Sequence, residues 1–159
     1  MHRENLERFA EKAIRLLSKG DVRDAAEKAW AAYKSLLGLL LAKRLLPEIE
    51  EEVKRIAEEK GVEKAGEHVE WWIEQGLLVP STRQKPDKIV EQIVNATGDR
   101  EIAVKKREAA HLHVFSYYGL DIAEISEKDV AEAVQSLVNW IKKKAKQYEP
   151  LSSLARREH

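Results

Sequence analysis

Residues 20–41 read GDVRDAAEKAWAAYKSLLGLLL, and this stretch decides the fold. Gly20 suits the position just past a helix end, and Asp21 is an N-cap residue with Asp24 three positions later. Ala25, Ala26, Ala29, Trp30, Ala32, Tyr33, Leu36, Leu37, Leu40 and Leu41 then recur at helical spacing. Between Leu36 and Leu41 the pattern is apolar almost all round, which a helix tolerates only when covered on several sides. This is the expected central helix. It should run to about Leu46 and stop at Pro47.

The pattern stays helical outward from there. Upstream, Leu6, Phe9, Ala10, Ala13, Ile14 and Leu17 form one apolar stripe closed by Gly20. Downstream, a helical stretch is expected from Glu48 to Leu78, with breaks near Gly61 and Gly66. It is acidic, with ten Glu against four Lys/Arg between Glu48 and Glu74. Its apolar anchors are Val53, Ile56, Val69, Trp71, Trp72 and Ile73. Pro80–Pro86, PSTRQKP, reads as a loop. A short helix follows from Asp87 to Thr97, closed by Gly98, and Asp99 is placed to cap a helix reaching Tyr118. Gly119 ends that one. Ser126 and Asp129 resemble a capping box for a last helix striped by Val130, Ala133, Val134, Leu137, Val138 and Ile141. Residues 1–149 read as one domain, with a frayed tail from 150 to 159. With no alternating strand pattern, hairpin turn or internal repeat, the class is all-α, an up-and-down bundle of about five helices.

Composition removes several function classes. The chain has 159 residues and no Cys, so disulfide frameworks, thiolate zinc sites and cysteine nucleophiles are excluded. Lys+Arg and Asp+Glu number 28 each. A whole-protein polycation is therefore excluded, though a local basic patch is not. The most apolar run, Ser35–Ala42, is far shorter than the roughly 20 residues of a membrane span. The first residues lack the apolar core of a signal peptide, which implies a cytoplasmic protein without membrane association. Glu (22) and Lys (17) dominate while Asn (3), Gln (5) and Met (1) are scarce, a bias found in thermophilic chains.

P-loop, GxGxxG, HExxH and GxSxG motifs are all absent, so no cofactor is assigned. One polar cluster stands out: Lys105, Lys106, Arg107, Glu108, His111, His113, Tyr117 and Tyr118, at the end of a helix. A metal site is not assigned either, since His111 and His113 point about 160° apart on a helix and no other ligands lie near in sequence. Both histidines also fit a polar helix–helix seam. Trp71 and Trp72 read as core, and Trp30 with Tyr33 as core or dimer contacts. The run Lys142, Lys143, Lys144, Lys146 reads as a solvated helix end.

His113–Asp121, HVFSYYGLD, resembles the histidine–aromatic–Gly–hydrophobic–Asp turn of HEPN domains. Arg107, with five residues between it and His113, fits that superfamily's R-x(4–6)-H signature. Gly20–Tyr33 resembles its second helix, and Gly20–Leu37 followed by REAAHLH is most similar to the archaeal PaREP group. The resemblance spans roughly Leu6 to Lys146. It implies a helical bundle that dimerises through the faces carrying Arg and His, and in ribonuclease members cleaves RNA without metal. Arg107 would then hold phosphate, and His111 or His113 would move a proton. Lys105, Lys106, Tyr117 and Tyr118 would help bind RNA or a nucleotide. Two departures count against catalysis. Glu108 follows Arg107 directly, and Arg107 and His113 lie about 120° apart on an unbroken helix, whereas Arg107 and His111 share a face. The competing classes are an RNA- or nucleotide-handling HEPN-like homodimer, a non-catalytic adaptor such as the partner of a minimal nucleotidyltransferase, and a lineage-specific bundle without inherited activity.

Overall fold

A computed structural model describes residues 2–74, 86–119 and 126–157, with side chains described for residues 3–74, 86–119 and 126–148. Every regular element among them is helical: α1 (His2–Ser18), α2 (Val22–Leu40), a π-helical segment (Leu41–Leu45), α3 (Leu46–Lys60), α4 (Val62–Glu74), α5 (Pro86–Thr97), α6 (Glu101–Tyr118) and α7 (Glu127–Arg157). Seven α-helical segments thus stand among the described residues, where the sequence suggested about five for the chain. The expected loop at Pro80–Pro86, the end of the helix at Leu78 and the Leu120–Asp121 part of the HEPN-like turn fall outside the described residues, except for Pro86, which begins α5. No helix among the described residues is long and apolar enough to cross a membrane.

Local chemistry sets most boundaries. After α1, Gly20 takes φ 79°, its N–H donates to the Leu17 carbonyl at 3.0 Å, and the Asp21 N–H donates to that of Leu16 at 2.9 Å. These two bonds satisfy carbonyls that the helix end would leave open. The Asp24 N–H then donates to Asp21 Oδ1 at 3.2 Å, the cap read from the sequence. Ser126 does the same for α7, accepting from the Asp129 N–H at 3.2 Å. Gly61, at φ 93°, separates α3 from α4, while Gly66 stays inside α4.

Pro47 does not stop the chain's helical course. The Leu46 N–H donates five residues back, to the Leu41 carbonyl, and Pro47 sits in the first turn of α3. A proline ring collides with the carbonyl four residues earlier in an α-helix, and the wider π turn relieves that collision. The expected stop at Leu46 is thereby corrected.

The chain divides into two compact units, one of Met1–Leu39 with Val104–His159 and one of Leu40–Ala103. In the first, α1 packs on α7. Its core joins Leu6, Ala10 and Ala13 to Ala25, Ala29, Tyr33 and Leu36 of α2, Ala109, Leu112 and Phe115 of α6, and Val134, Leu137 and Ile141 of α7. The second packs α3 against α4 and α5 against the π segment. Here the sequence overestimated the core. Trp72 is buried, Val53, Ile56 and Val69 are half-buried, and Trp71 and Ile73 are exposed. A pair of helices covers each other on one side only.

Two glycines test the backbone argument. Gly66 is helical with open space where a Cβ would stand, so Gly66→Ala should raise stability by about 0.5–1 kcal/mol. Gly20→Ala forces an L side chain into the left-handed region and should lower it by about 1–2 kcal/mol. Urea unfolding of the two variants measures both signs.

Candidate functional site

All eight residues of the cluster singled out by the sequence lie on α6. This helix is apolar on two opposite sides. Ile102, Ala109, Leu112 and Phe115 are buried, whereas Val104 (59%), Val114 (45%) and Tyr118 (61%) are exposed on the outer side. Arg107 and His111, one turn apart, are exposed on that same outer side. Neither has a hydrogen bond or ion pair with another described residue. Lys105 donates to both oxygens of Glu108, at 3.2 and 3.4 Å, so its charge is already matched. Lys106 is half-buried, two turns before His113 on the inner flank.

His113 is placed apart from Arg107. Its imidazole stacks on Trp30 of α2, with centroids 5.1 Å apart and planes 20° from parallel. Its Nδ1 is buried without a hydrogen-bond partner, alone in this among the described side chains. The stack continues in both directions. Trp30 lies 6.2 Å from Tyr33, and Tyr33 lies 6.5 Å from Trp140 of α7. On the solvent side His113 meets Tyr117 at 6.1 Å, and Tyr117 meets Tyr118 at 5.5 Å. Lys34 holds its ammonium 5.8 Å from the Trp30 centroid, and Lys144 holds its own 5.6 Å from that of Trp140. Lys144 is only 6% exposed, so the run of lysines is not wholly a solvated helix end. Burial pushes the Tyr33 phenol far above its ordinary range.

Arg23 was missed by the sequence reading. Its Nε donates to the Ser116 carbonyl at 2.6 Å and its Nη2 to the Tyr117 carbonyl at 2.7 Å, closing the last turn of α6. The only signal was electrostatic. A cation in the first turn of α2 opposes that helix's own dipole, so it needed a partner elsewhere.

Beside His111 a cleft of about 600 Å³ runs between α6 and α7. Leu112, Phe115 and Val130 line its base, and Glu108, Asp129 and Glu132 give it a negative wall. In the other unit, the Trp72 Nε1–H donates to His68 Nε2 at 3.1 Å, while Glu52 Oε1 lies 3.3 Å from the same nitrogen. One nitrogen cannot accept from the indole and donate to the carboxylate at once, so only one of the two contacts is a hydrogen bond at a time. Among the described residues, no group of three or more histidines or carboxylates could hold a metal ion.

The molecule is thus an all-helical protein with an arginine and a histidine exposed on the outer side of one helix and unpaired among the described residues. The chain belongs to the archaeal PaREP1/PaREP8 family, whose sequence profile matches residues 1–140. None of the curated proteins and none of the solved structures compared with the chain matches it.

The guanidinium at the end of α6 should be worth about 1 kcal/mol, the scale of charge-assisted bonds at an exposed helix terminus. Arg23→Ala should lose that amount in thermal unfolding. Arg23→Lys should lose part of it, because an ammonium cannot present the two-pronged fork.

Proposed function

We propose that the chain forms an HEPN-like homodimer through the outer side of α6 and handles RNA or nucleotides there. One observation carries this reading. Arg107 and His111 stand exposed and unpaired among the described residues, in the middle of a side whose other members are Val104, Val114 and Tyr118. The positions 104, 107, 111, 114 and 118 alternate by three and four, the spacing of a helix–helix seam. An antiparallel pairing of two copies sets Val104 against Val114 and Arg107 against His111, twice over. A parallel pairing sets Arg107 against its own mate, which like charges oppose.

Such a seam would bring two arginines and two histidines around the twofold axis. For RNA the chemistry follows directly. One imidazole takes the proton of a 2′-hydroxyl as its oxygen bonds to phosphorus. The P–O5′ bond breaks, and the other imidazole returns a proton to the leaving oxygen. The guanidinium groups hold the phosphate as charge builds on it. Histidine suits this role because it changes charge near neutral pH.

A second reading, the non-catalytic adaptor, also rests on an observation. The carboxylates of Glu108, Asp129 and Glu132 line the cleft next to His111, and Lys105 is paired with Glu108. Negative charge there works against phosphate and suits a protein partner, such as a minimal nucleotidyltransferase.

Incubation with single-stranded and structured RNAs in the presence of chelator tests both readings. The proposal expects cleavage that falls about 100-fold in Arg107→Ala and His111→Ala. His113→Ala should retain it, because that ring sits in the Trp30 stack. A dimeric parent protein that cleaves nothing supports the adaptor instead. Light scattering at micromolar concentration that shows only monomer overturns the seam.

A further inference from the structure

The geometry points to a second contact surface on the neighbouring flank of α6: a stacking platform for the bases of single-stranded nucleic acid, built by Trp30, His113 and Tyr117 and bordered by Tyr118. It rests on the RNA reading above and extends it to Trp30, His113 and Tyr117, which the Arg107/His111 side does not use, with Tyr118 at the border of the two.

The first observation is exposure. Tyr117 is 70% and Tyr118 61% exposed, and they continue a face that Trp30 and His113 begin half-buried. A lone surface tyrosine needs no explanation, but four adjoining rings that end in water form a contiguous aromatic surface. The second observation is rigidity. Trp30 is backed by Tyr33, which is fully buried, and then by Trp140. The last turn of α6 is held by the two Arg23 bonds to the carbonyls of Ser116 and Tyr117. A ring held in place loses little freedom when a base stacks on it.

Charge is the third. Lys34 stands over the Trp30 ring, and Arg23 lies at the Tyr117 end of the surface. The two are eleven residues apart on α2, about 16 Å along its axis. Glu27 lies on the same side of α2 between them, so the edge carries one net positive charge. The negative wall of the α6/α7 cleft belongs to the other flank, since Glu108 is half a turn of helix away from Tyr117. Aromatic rings alternating with cations are how single strands are held with little preference for sequence, each base offering a π-face and each phosphate a charge. Tyr118 lies one turn beyond the last layer of the proposed antiparallel seam and stays available to both copies.

Fluorescence anisotropy with the full chain decides the matter. The probes are a fluorescein-labelled 12-nucleotide oligoadenylate and an abasic 12-mer of equal charge. The oligoadenylate should bind at least about tenfold tighter than the abasic strand. The double variant Tyr117→Ala/Tyr118→Ala should erase that difference, and Tyr117→Phe should keep it. Circular dichroism confirms that the variants, altered only at exposed rings, remain folded. Equal binding of the two strands, or an advantage that survives the double alanine variant, overturns the platform and leaves the RNA reading standing. Failure of the parent to bind either strand overturns both. A tyrosine-dependent advantage in a protein that is monomeric and cleaves nothing leaves the platform standing without the seam.

Discussion

The burial of α2 is the constraint from which the rest follows. Ala25, Ala26, Ala29, Ala32, Tyr33, Leu36 and Leu40 are all inaccessible to solvent. Burying each large apolar side chain contributes roughly 1.5–3 kcal/mol, so exposing this helix would cost an amount comparable to the whole stability of a typical domain, about 5–15 kcal/mol. The small residues of its first half let neighbouring backbones come close, and Tyr33 and the leucines fill the second half. Helices α6 and α7 each turn a stripe toward that core. The ring contacts Trp30–His113 and Tyr33–Trp140 show α2 touching both.

Once α6 has committed Ile102, Ala109, Leu112 and Phe115 inward, the residues on its outer side are left exposed. That is why Val104, Val114, Tyr117 and Tyr118 are exposed although apolar or aromatic, and why Arg107 and His111 stand among them. The helix is therefore apolar on two sides with charge at the centre of one. The overall charge balance of 28 against 28 hides this local arrangement.

What could be read from sequence was what depends on neighbours along the chain. The helix ends at Gly20, Gly98 and Gly119, and the caps at Asp21 and Ser126, follow from residues within a few positions of one another. The shared face of Arg107 and His111 follows from helical spacing alone. The stop at Pro47 failed because the proline rule assumes an α-helical register, and the π segment before it widens the turn into which the ring would otherwise collide. The apolar anchors of α3 and α4 promised a core that two helices alone do not close. The surroundings of His113 were beyond reach, since Trp30 lies 83 positions away and only the tertiary fold stacks the two rings. Arg23 and its bonds to Ser116 and Tyr117 were hidden for the same reason.

The central claim is that the outer side of α6 meets its own copy in antiparallel register. Because the chain has no cysteine, single substitutions can report it without background. Val104→Cys and Val114→Cys proteins would be prepared separately, mixed, and oxidised under mild conditions. The antiparallel seam predicts a disulfide-linked dimer in the mixture and almost none from either variant alone, since each residue faces the other position across the twofold axis. Equal cross-linking of Val104→Cys with itself, or no cross-linking in the mixture, would contradict the account.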